Sequence, residues 1–292
     1  MKINKFNKGI FYSSSGSFFW GFIGTYYFQY ITIVGAFEVV VHRCLWTALI
    51  LLITTFYFNK WKILKTILSN KKNVFILFLT SILIFGNWAV WIYAVSINKI
   101  VDASIGYFIF PLLSVFFGYI FFKEKLNNKR IISLIIVLLS TLYLFLDIST
   151  FPWVGFAVAL LWSTYNLLRK KIQVEADIGL FIESLFILPI AIIILVFIFK
   201  NNLNDFSITN LNIMFLLFLA GPMTVIPLFL YIKGVELSGL GPSGMIFFIT
   251  PTGQFLLGFF YFNEPFSAQK LVSFILIWIA VIIYLKDLYD EN

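Results

Sequence analysis

The second half of this chain repeats the first half at a constant spacing of 140 residues. When residues 87–147 are aligned with residues 227–287 without a gap, identical side chains superimpose along the segment. These identities include Val95 and Val235, Phe108 and Phe248, Ile109 and Ile249, Pro111 and Pro251, Gly118 and Gly258, Phe122 and Phe262, Glu124 and Glu264, Ser133 and Ser273, and Asp147 and Asp287. Because both copies are almost wholly apolar, the pattern indicates a duplicated membrane module. We therefore predict one copy over residues 1–148 and a second over residues 149–292.

The composition excludes a soluble globular protein of this size. Of the 292 residues, 61% are hydrophobic and 12% are charged, which leaves too little polar surface to cover a globule. Crossing about 30 Å of hydrocarbon as a helix takes roughly 17 to 25 apolar residues. Ten such stretches occur, near 9–29, 36–58, 73–96, 102–122, 131–148, 152–169, 178–199, 211–232, 242–262 and 270–286. The predicted fold is an all-α integral membrane protein with ten transmembrane helices, five in each copy.

An odd number of spans per copy makes the second copy enter the membrane from the opposite side. The two five-helix repeats are then inverted, an arrangement typical of transporters that alternate access to a site near the membrane midplane. Pro111 and Pro251 occupy matched positions in spans 4 and 9, where each removes a backbone donor and is expected to kink its helix. We predict a role in gating or cavity shaping for both, although membrane helices also tolerate proline without a functional reason.

Topology accounts for the net charge of +8. If the N-terminus lies in the cytoplasm, 17 of the 21 Lys and Arg residues fall on the cytoplasmic side, three fall outside, and Arg43 lies within a span. This bias follows the positive-inside rule and predicts an inner (plasma) membrane protein with both termini in the cytoplasm. The basic charge then faces membrane lipids, and no nucleic-acid partner is expected. With one histidine and one cysteine, we expect neither a metal site nor a cofactor.

Charged side chains inside spans cost about 2.5 to 3.5 kcal/mol on insertion scales and usually face a cavity or a partner. Glu38 and His42 are four residues apart and share a helix face, whereas Arg43 points elsewhere. Glu183 is expected at a similar place in the second copy. Glu38, His42 and Glu183 are candidates for proton coupling, and Arg43 is a candidate anchor for a substrate carboxylate. The alternative is a buried structural network that neutralises itself.

Aromatic and polar side chains share faces of several predicted spans. Span 6 carries a stripe composed of Trp162, Tyr165, Asn166 and Arg169, with Arg169 expected to extend to the cytoplasmic interface. Aromatic walls with a few polar groups are the usual lining of a small-molecule pocket, although tryptophan also occurs in interfacial belts. The predicted cavity residues are Trp20, Arg43, Asn87, Trp88, Trp91, Tyr107, Trp162, Tyr165 and Asn166.

Short motifs add a family resemblance to this interpretation. They are His42-Arg43 followed by Trp46, Gly86-Asn87-Trp88, Ala103 through Ile109 leading to Pro111-Leu112, Arg169-Lys170-Lys171 with Val174-Glu175-Ala176, Gly179 through Glu183, Leu188-Pro189, and Pro251-Thr252. Nearly end to end, the chain resembles the drug/metabolite transporter superfamily of EamA type, and most closely its RarD permease branch. The resemblance implies a permease that exports small organic metabolites or drugs through a cavity between its halves. The family usually places asparagine just before the proline of span 4, whereas Phe110 stands here.

The predicted function is a secondary transporter of a small amphipathic metabolite, with amino-acid-like or aromatic compounds as the first candidates. An intramembrane lipid-modifying enzyme is one alternative, but it would need a convergent acid, base or nucleophile set, and we predict no catalytic residues. A sensor or scaffold that binds without transporting is the other alternative. Spans 5 and 10 carry few polar groups, which suits a lipid face or a homodimer contact.

Overall fold

The computed structural model describes residues 4–96, 100–146, 152–261 and 268–291, with only the backbone described at 92, 95, 96 and 100–104. Helix dominates this part of the chain, which includes no strand. The α-helices are α1 (Lys5–Phe18), α2 (Thr25–Tyr30), α3 (Ala36–Tyr57), α4 (Trp61–Ser69), α5 (Lys71–Ser96), α6 (Ile100–Phe122), α7 (Asn128–Phe145), α8 (Trp153–Lys171), α9 (Ala176–Lys200), α10 (Leu211–Leu219), α11 (Pro222–Ser238), α12 (Leu240–Ile246), α13 (Ile249–Phe260) and α14 (Ala268–Glu291). A π-helical segment, Phe19–Gly24, joins α1 to α2, and a short 3-10 turn, Ile31–Ile33, follows α2. The predicted boundary between the copies, and the repeat residues Asp147, Phe262 and Glu264, lie outside the described residues.

Eight helical stretches in the described ranges are long and apolar enough to cross a membrane. They are Ala36–Tyr57, Lys71–Trp91, Ile105–Phe122, Asn128–Phe145, Ala176–Lys200, Leu211–Ser238, Leu240–Phe260 and Ala268–Glu291. The chain is therefore a multi-pass membrane protein. The predicted spans at 9–29 and 152–169 are not among the eight. The first contains four serines among its apolar residues, and the second corresponds to α8, whose last turn carries Arg169, Lys170 and Lys171. The count of ten remains a prediction.

Helices α7 and α14, which correspond in the sequence repeat, run antiparallel. Near the start of α7, Arg130 Nε lies 2.8 Å from Asp287 Oδ2 near the end of α14. At the opposite ends, Gln269 Nε2 donates a hydrogen bond of 2.6 Å to the carbonyl of Tyr143.

Helices α3 and α9 also run antiparallel. Lys60, just after α3, donates to Asp177 Oδ2 in the first turn of α9 at 2.6 Å. The backbone N–H of Gly35, just before α3, donates to Asp205 Oδ2, which follows α9, at 2.9 Å. Each helix of the pair is therefore held at its start by the connection that follows the other.

Small side chains bring α1 into close contact with α11. A Cβ atom added at Gly9 would lie 2.6 Å from the backbone nitrogen of Ser238, and one added at Gly16 would lie 2.8 Å from the carbonyl of Pro227. Gly234 in α11 faces Ser13 of α1 with equally little space. Contacts between small residues let helix backbones approach and pack without gaps.

The corresponding contact joins α8 to α5 and α6. A Cβ atom added at Gly106 would lie 2.8 Å from the carbonyl of Gly155 in α8. Asn87 Nδ2 in α5 donates a hydrogen bond of 3.0 Å to the carbonyl of Val158 in α8. Each of these closely packed groups therefore combines helices from both copies.

The matched prolines lie in different local structures. α6 continues through Pro111, whereas the corresponding segment of the second copy is interrupted at Phe247 and Phe248, between α12 and α13, just before Pro251. The interruption brings the Phe247 side chain into the protein interior, where it is 2% exposed. Gating by either proline stays a prediction.

Candidate functional site

A small cavity lies among helices of both copies. It is lined by Cys44, Thr47, Ile84, Trp88, Leu180, Glu183, Ser184, Ile187 and Leu228. The space open to water is about 20 Å³, which is room for one water molecule. The structure is therefore closed around this point.

Arg43 of α3 is a buried cation beside this cavity. Its side chain is enclosed by aromatic rings, with the guanidinium carbon 4.6 Å from the ring centre of Trp88 and 4.8 Å from that of Phe28. Its Nε donates a hydrogen bond of 3.0 Å to Thr224 Oγ1 in α11. Among the described residues, no carboxylate pairs with Arg43 and no other side chain accepts from it. A guanidinium has five N–H donors, so most of its capacity to bind an anion is unused.

Of the predicted residues, Trp88 lies at this cation, and Trp91 lies one ring further away. Trp91 contacts Phe28 with ring centres 5.6 Å apart, so the aromatic wall around Arg43 continues along α5. Aromatic faces attract a cation by about 0.5 to 2 kcal/mol each, less than a full counter-charge provides. The rings therefore stabilise Arg43 in part and leave its charge uncompensated.

A second group of rings, which we call the aromatic cluster, consists of Trp20, Phe110, Trp162, Tyr231 and Phe247. They come from the π-helical segment, α6, α8, α11 and the turn after α12, and contact one another at 4.8 to 6.4 Å between ring centres. Phe110, the residue before Pro111, is fully buried within this cluster.

Two buried donors of the aromatic cluster, Trp162 Nε1 and Tyr231 OH, have no hydrogen-bond partner among the described residues. A buried donor left unpaired costs about 1 to 3 kcal/mol. Tyr107, another predicted cavity residue, contacts Phe247 at 5.8 Å between ring centres and so adjoins the cluster. The cluster can therefore both pack an apolar group and donate hydrogen bonds to a ligand.

Glu183 of α9 lies at the centre of a buried polar network. Thr80 Oγ1 donates to one carboxylate oxygen at 2.6 Å, and Tyr165 OH donates to the other at 3.1 Å. Arg169 Nε lies 3.4 Å from the carboxylate as its counter-charge. Trp162 stacks on Tyr165 with the ring planes 12° apart, which links this network to the aromatic cluster.

The prediction that Arg169 extends to the cytoplasmic interface is wrong. Its side chain is 1% exposed, pairs with Glu183 and donates from Nη2 to the carbonyl of Ala176 at 3.2 Å. Gly179 makes this possible, because its missing side chain leaves the space that the guanidinium fills. The attraction of a buried carboxylate on the neighbouring helix therefore outweighs snorkelling.

Glu38 and His42 lie apart from Glu183, at the start of α3. Glu38 accepts hydrogen bonds from the backbone N–H groups of Asp205 and Phe206, at 2.6 and 2.9 Å. His42 Nε2 lies 3.8 Å from Glu38, and its Nδ1 accepts from Trp46 Nε1 at 3.1 Å. Glu38 thus anchors the connection that follows α9, and this geometry favours a structural role for it.

The two predicted asparagines make contacts with α8. Asn87 links α5 to α8 through the carbonyl of Val158, whereas Asn166 Nδ2 donates to the carbonyl of Trp162 within its own helix, at 2.8 Å. Within the described part of the chain, the amide oxygen of Asn166 is buried without a hydrogen-bond partner. It is an acceptor that a ligand could use.

Several side chains of the site were not predicted from the sequence. They are Phe28, Thr80, Thr224, Tyr231 and Phe247. No sequence pattern singles out these five residues. Phenylalanine and tyrosine, for example, occur 37 and 14 times along the chain. Their roles depend on contacts between helices.

The chain matches the model of the EamA-like transporter family over residues 7–146 and 152–286. It is 31% identical over 287 residues to Protein RarD of Escherichia coli (strain K12), a match that covers 98% of this chain and 97% of the relative. It is 33% identical over 280 residues to the uncharacterized transporter YojE of Bacillus subtilis (strain 168), covering 95% and 93%. A solved structure described only as the crystal structure of a protein is similar in fold, with a TM-score of 0.72, 14% identity, and 94% and 96% of the two chains covered.

Proposed function

The chain belongs to the EamA-like transporter family, in the RarD branch of the drug/metabolite transporter superfamily, and from this membership we propose that it transports small amphipathic carboxylates. Amino-acid-like and aromatic compounds are the first candidates. The proposed transport is secondary, by alternating access across the inner membrane and in the outward direction.

The observation that carries this proposal is the buried, unpaired charge of Arg43. Bringing an ion out of water costs several kcal/mol unless a counter-charge compensates it. Arg43 has two ring faces and one hydroxyl as partners, and the described residues supply no carboxylate. A substrate carboxylate would provide the missing counter-charge and could accept two parallel hydrogen bonds from the guanidinium.

The neighbouring rings suit the rest of such a substrate. Trp88 and Trp91 form an apolar wall beside Arg43, and the aromatic cluster presents two unpaired donors, Trp162 Nε1 and Tyr231 OH. The cavity in this conformation holds only about one water molecule. Binding therefore requires the helices around it to separate, and the antiparallel pairing of corresponding helices supports an alternating opening on the two sides.

Thermal stability of the detergent-purified protein tests the binding step. A ligand that binds the folded state increases the free energy of unfolding, by about 2.7 kcal/mol when its concentration is 100 times the dissociation constant. The melting temperature rises as a result. We expect a concentration-dependent rise with one class of carboxylates, a smaller rise with their amides, and no rise in Arg43→Ala. Arg130→Ala is the matched control, because Arg130 is equally buried but pairs with Asp287 and Glu291 at the end of α14. A rise that persists in Arg43→Ala would contradict the proposed anchor.

Flux into proteoliposomes tests transport itself. A transporter moves the stabilising compound across the bilayer unchanged. Conversion of the compound would instead indicate an intramembrane enzyme, and binding without flux would indicate a sensor or scaffold.

A further inference from the structure

Helix α4 (Trp61–Ser69) joins the membrane helices α3 and α5 and has two distinct faces. Leu64 and Ile67 are buried at 7% and 9% exposure and attach the helix to the hydrophobic core. Ile63 and Leu68 lie on the two sides of this buried stripe and are 37% and 45% exposed. At 100° per residue, the apolar positions occupy one half of the helix circumference.

The opposite half of α4 is polar and basic. Lys62, Lys65, Thr66 and Ser69 fall together on this face, and all four are exposed. Lys71 and Lys72 are also exposed and begin the next helix directly after α4. In the described part of the chain, none of these four lysines is in an ion pair.

The acidic side chains that meet the start of α4 already pair with Lys60. Glu175 and Asp177 at the start of α9 both accept from Lys60, at 2.8 and 2.6 Å. Burial lowers the pKa of Lys60, but the hydrogen bonds from its ammonium to Asp177 and Glu175 outweigh burial and raise that pKa above its ordinary value. Lys60 therefore stays protonated, holds both carboxylates and leaves the lysines of α4 without a protein counter-charge.

The corresponding connection of the second copy has the opposite character. Residues 201–210 include no lysine or arginine, and they contribute Asp205. The basic amphipathic helix α4 therefore lies at the end of the pair where α3 ends and α9 begins, and the opposite end carries Asp205 instead. A helix with a basic face, an inner apolar stripe and exposed apolar residues on both sides is typical of a segment lying in the interface of an anionic membrane leaflet.

We propose that α4, together with Lys71 and Lys72, binds the headgroups of anionic phospholipids. Ile63 and Leu68 contact the upper acyl chains, and the lysine ammonium groups contact the phosphate oxygens. Because Lys60 connects the start of α4 to the first turn of α9, a bound headgroup stabilises the contact between the two copies at this end.

The test compares phospholipids that share acyl chains and differ in headgroup. The melting temperature of the full-length protein in detergent is measured with added phosphatidylglycerol, phosphatidylcholine or inorganic phosphate. Phosphatidylglycerol is expected to raise it more than phosphatidylcholine, and the difference should shrink as salt is added. Inorganic phosphate should have no effect. Equal effects of the two lipids, or an equal effect of inorganic phosphate, would overturn the proposal.

Two double variants with the same charge change make the test specific to α4. Lys62→Gln/Lys65→Gln removes the basic face of α4, whereas Lys123→Gln/Lys125→Gln removes two exposed lysines after α6. Glutamine has nearly the helix propensity of lysine, so the α4 variant should fold. Lys123 and Lys125 are exposed in the connection after α6, so their replacement removes no buried contact. Phosphatidylglycerol should raise the melting temperature of the wild type more than phosphatidylcholine does, and the first variant should lose at least half of this difference. The second variant should keep the difference. Equal losses would show a diffuse effect of net charge and overturn the assignment to α4.

Discussion

Arg169 and Glu183 form an ion pair in which the two side chains are only 1% and 2% exposed. The pair joins α8 to α9, and Thr80 adds a hydrogen bond from α5. Because these partners lie on α5 and α8, an opening that moves α9 away from these two helices must break contacts to Glu183.

We predict that Glu183→Gln destabilises the protein by about 3 to 5 kcal/mol, since removing one partner leaves the other as an uncompensated buried charge. Unfolding in detergent measures the loss. The double variant Glu183→Gln/Arg169→Gln should recover much of it, because neither charge then remains. Equal stability of the single and double variants would show that the two side chains are not coupled.

Glu183 is also the stronger candidate for proton coupling, because Glu38 is held by two backbone N–H groups of the connection that follows α9. Glu183→Gln should therefore flatten the pH dependence of proteoliposome flux. Glu38→Gln, which changes the charge by the same amount, should preserve it. An unchanged pH profile in Glu183→Gln would make the network purely structural.

Gly179→Ala should displace Arg169 and weaken its pair with Glu183. The added methyl group would overlap the guanidinium, which has no alternative space because the region is buried. Overpacking of this kind costs about 1 to 3 kcal/mol. Gly86→Ala is the control, since its Cβ would meet Leu161 at 3.8 Å, an ordinary contact. Equal melting temperatures for the two variants would contradict the predicted overlap.

Glu38→Ala should release the connection that follows α9. The backbone N–H groups of Asp205 and Phe206 would lose their acceptor, and hydrogen exchange at these two amides should accelerate. Glu236→Ala removes a carboxylate that pairs with Lys233 instead, and it should leave both amides protected. Unchanged exchange in Glu38→Ala would refute the anchoring role.

Phe110→Ala should cost about 3 to 5 kcal/mol, the usual range for a buried phenylalanine. It should also let the protein bind bulkier aromatic carboxylates, because the space opens beside Trp162 and Tyr231. Phe116→Ala, on the same helix but 54% exposed, is the control for both measurements. A ligand panel ranked identically in wild type and Phe110→Ala would exclude Phe110 as a determinant of specificity.

The apolar runs of the sequence predicted the eight stretches that are long enough to cross a membrane. Length and hydrophobicity are properties of one continuous segment, so they can be read from the sequence. The division of the predicted first span at Phe19–Gly24 could not be predicted in the same way. It depends on Gly21 meeting the carbonyl of Thr250 from the other copy, where an added Cβ would lie 2.8 Å away.

In the site, contacts within one helix could likewise be predicted from the sequence, whereas contacts between helices could not. Spacing along one helix predicted that Glu38 and His42 share a face, and the structure places them 3.8 Å apart. Spacing could not predict that Arg169 turns inward, because Gly179 and Glu183 on the next helix decide its position.

The glycines between α1 and α11 constrain how this protein can move. Gly9, Gly16 and Gly234 leave no room for one helix to slide over the other, so we expect the two to travel as a single rigid body. α1 comes from the first copy and α11 from the second. In the alternating access that we propose, each moving part would then contain helices of both copies, and the junction between the copies would not act as the hinge.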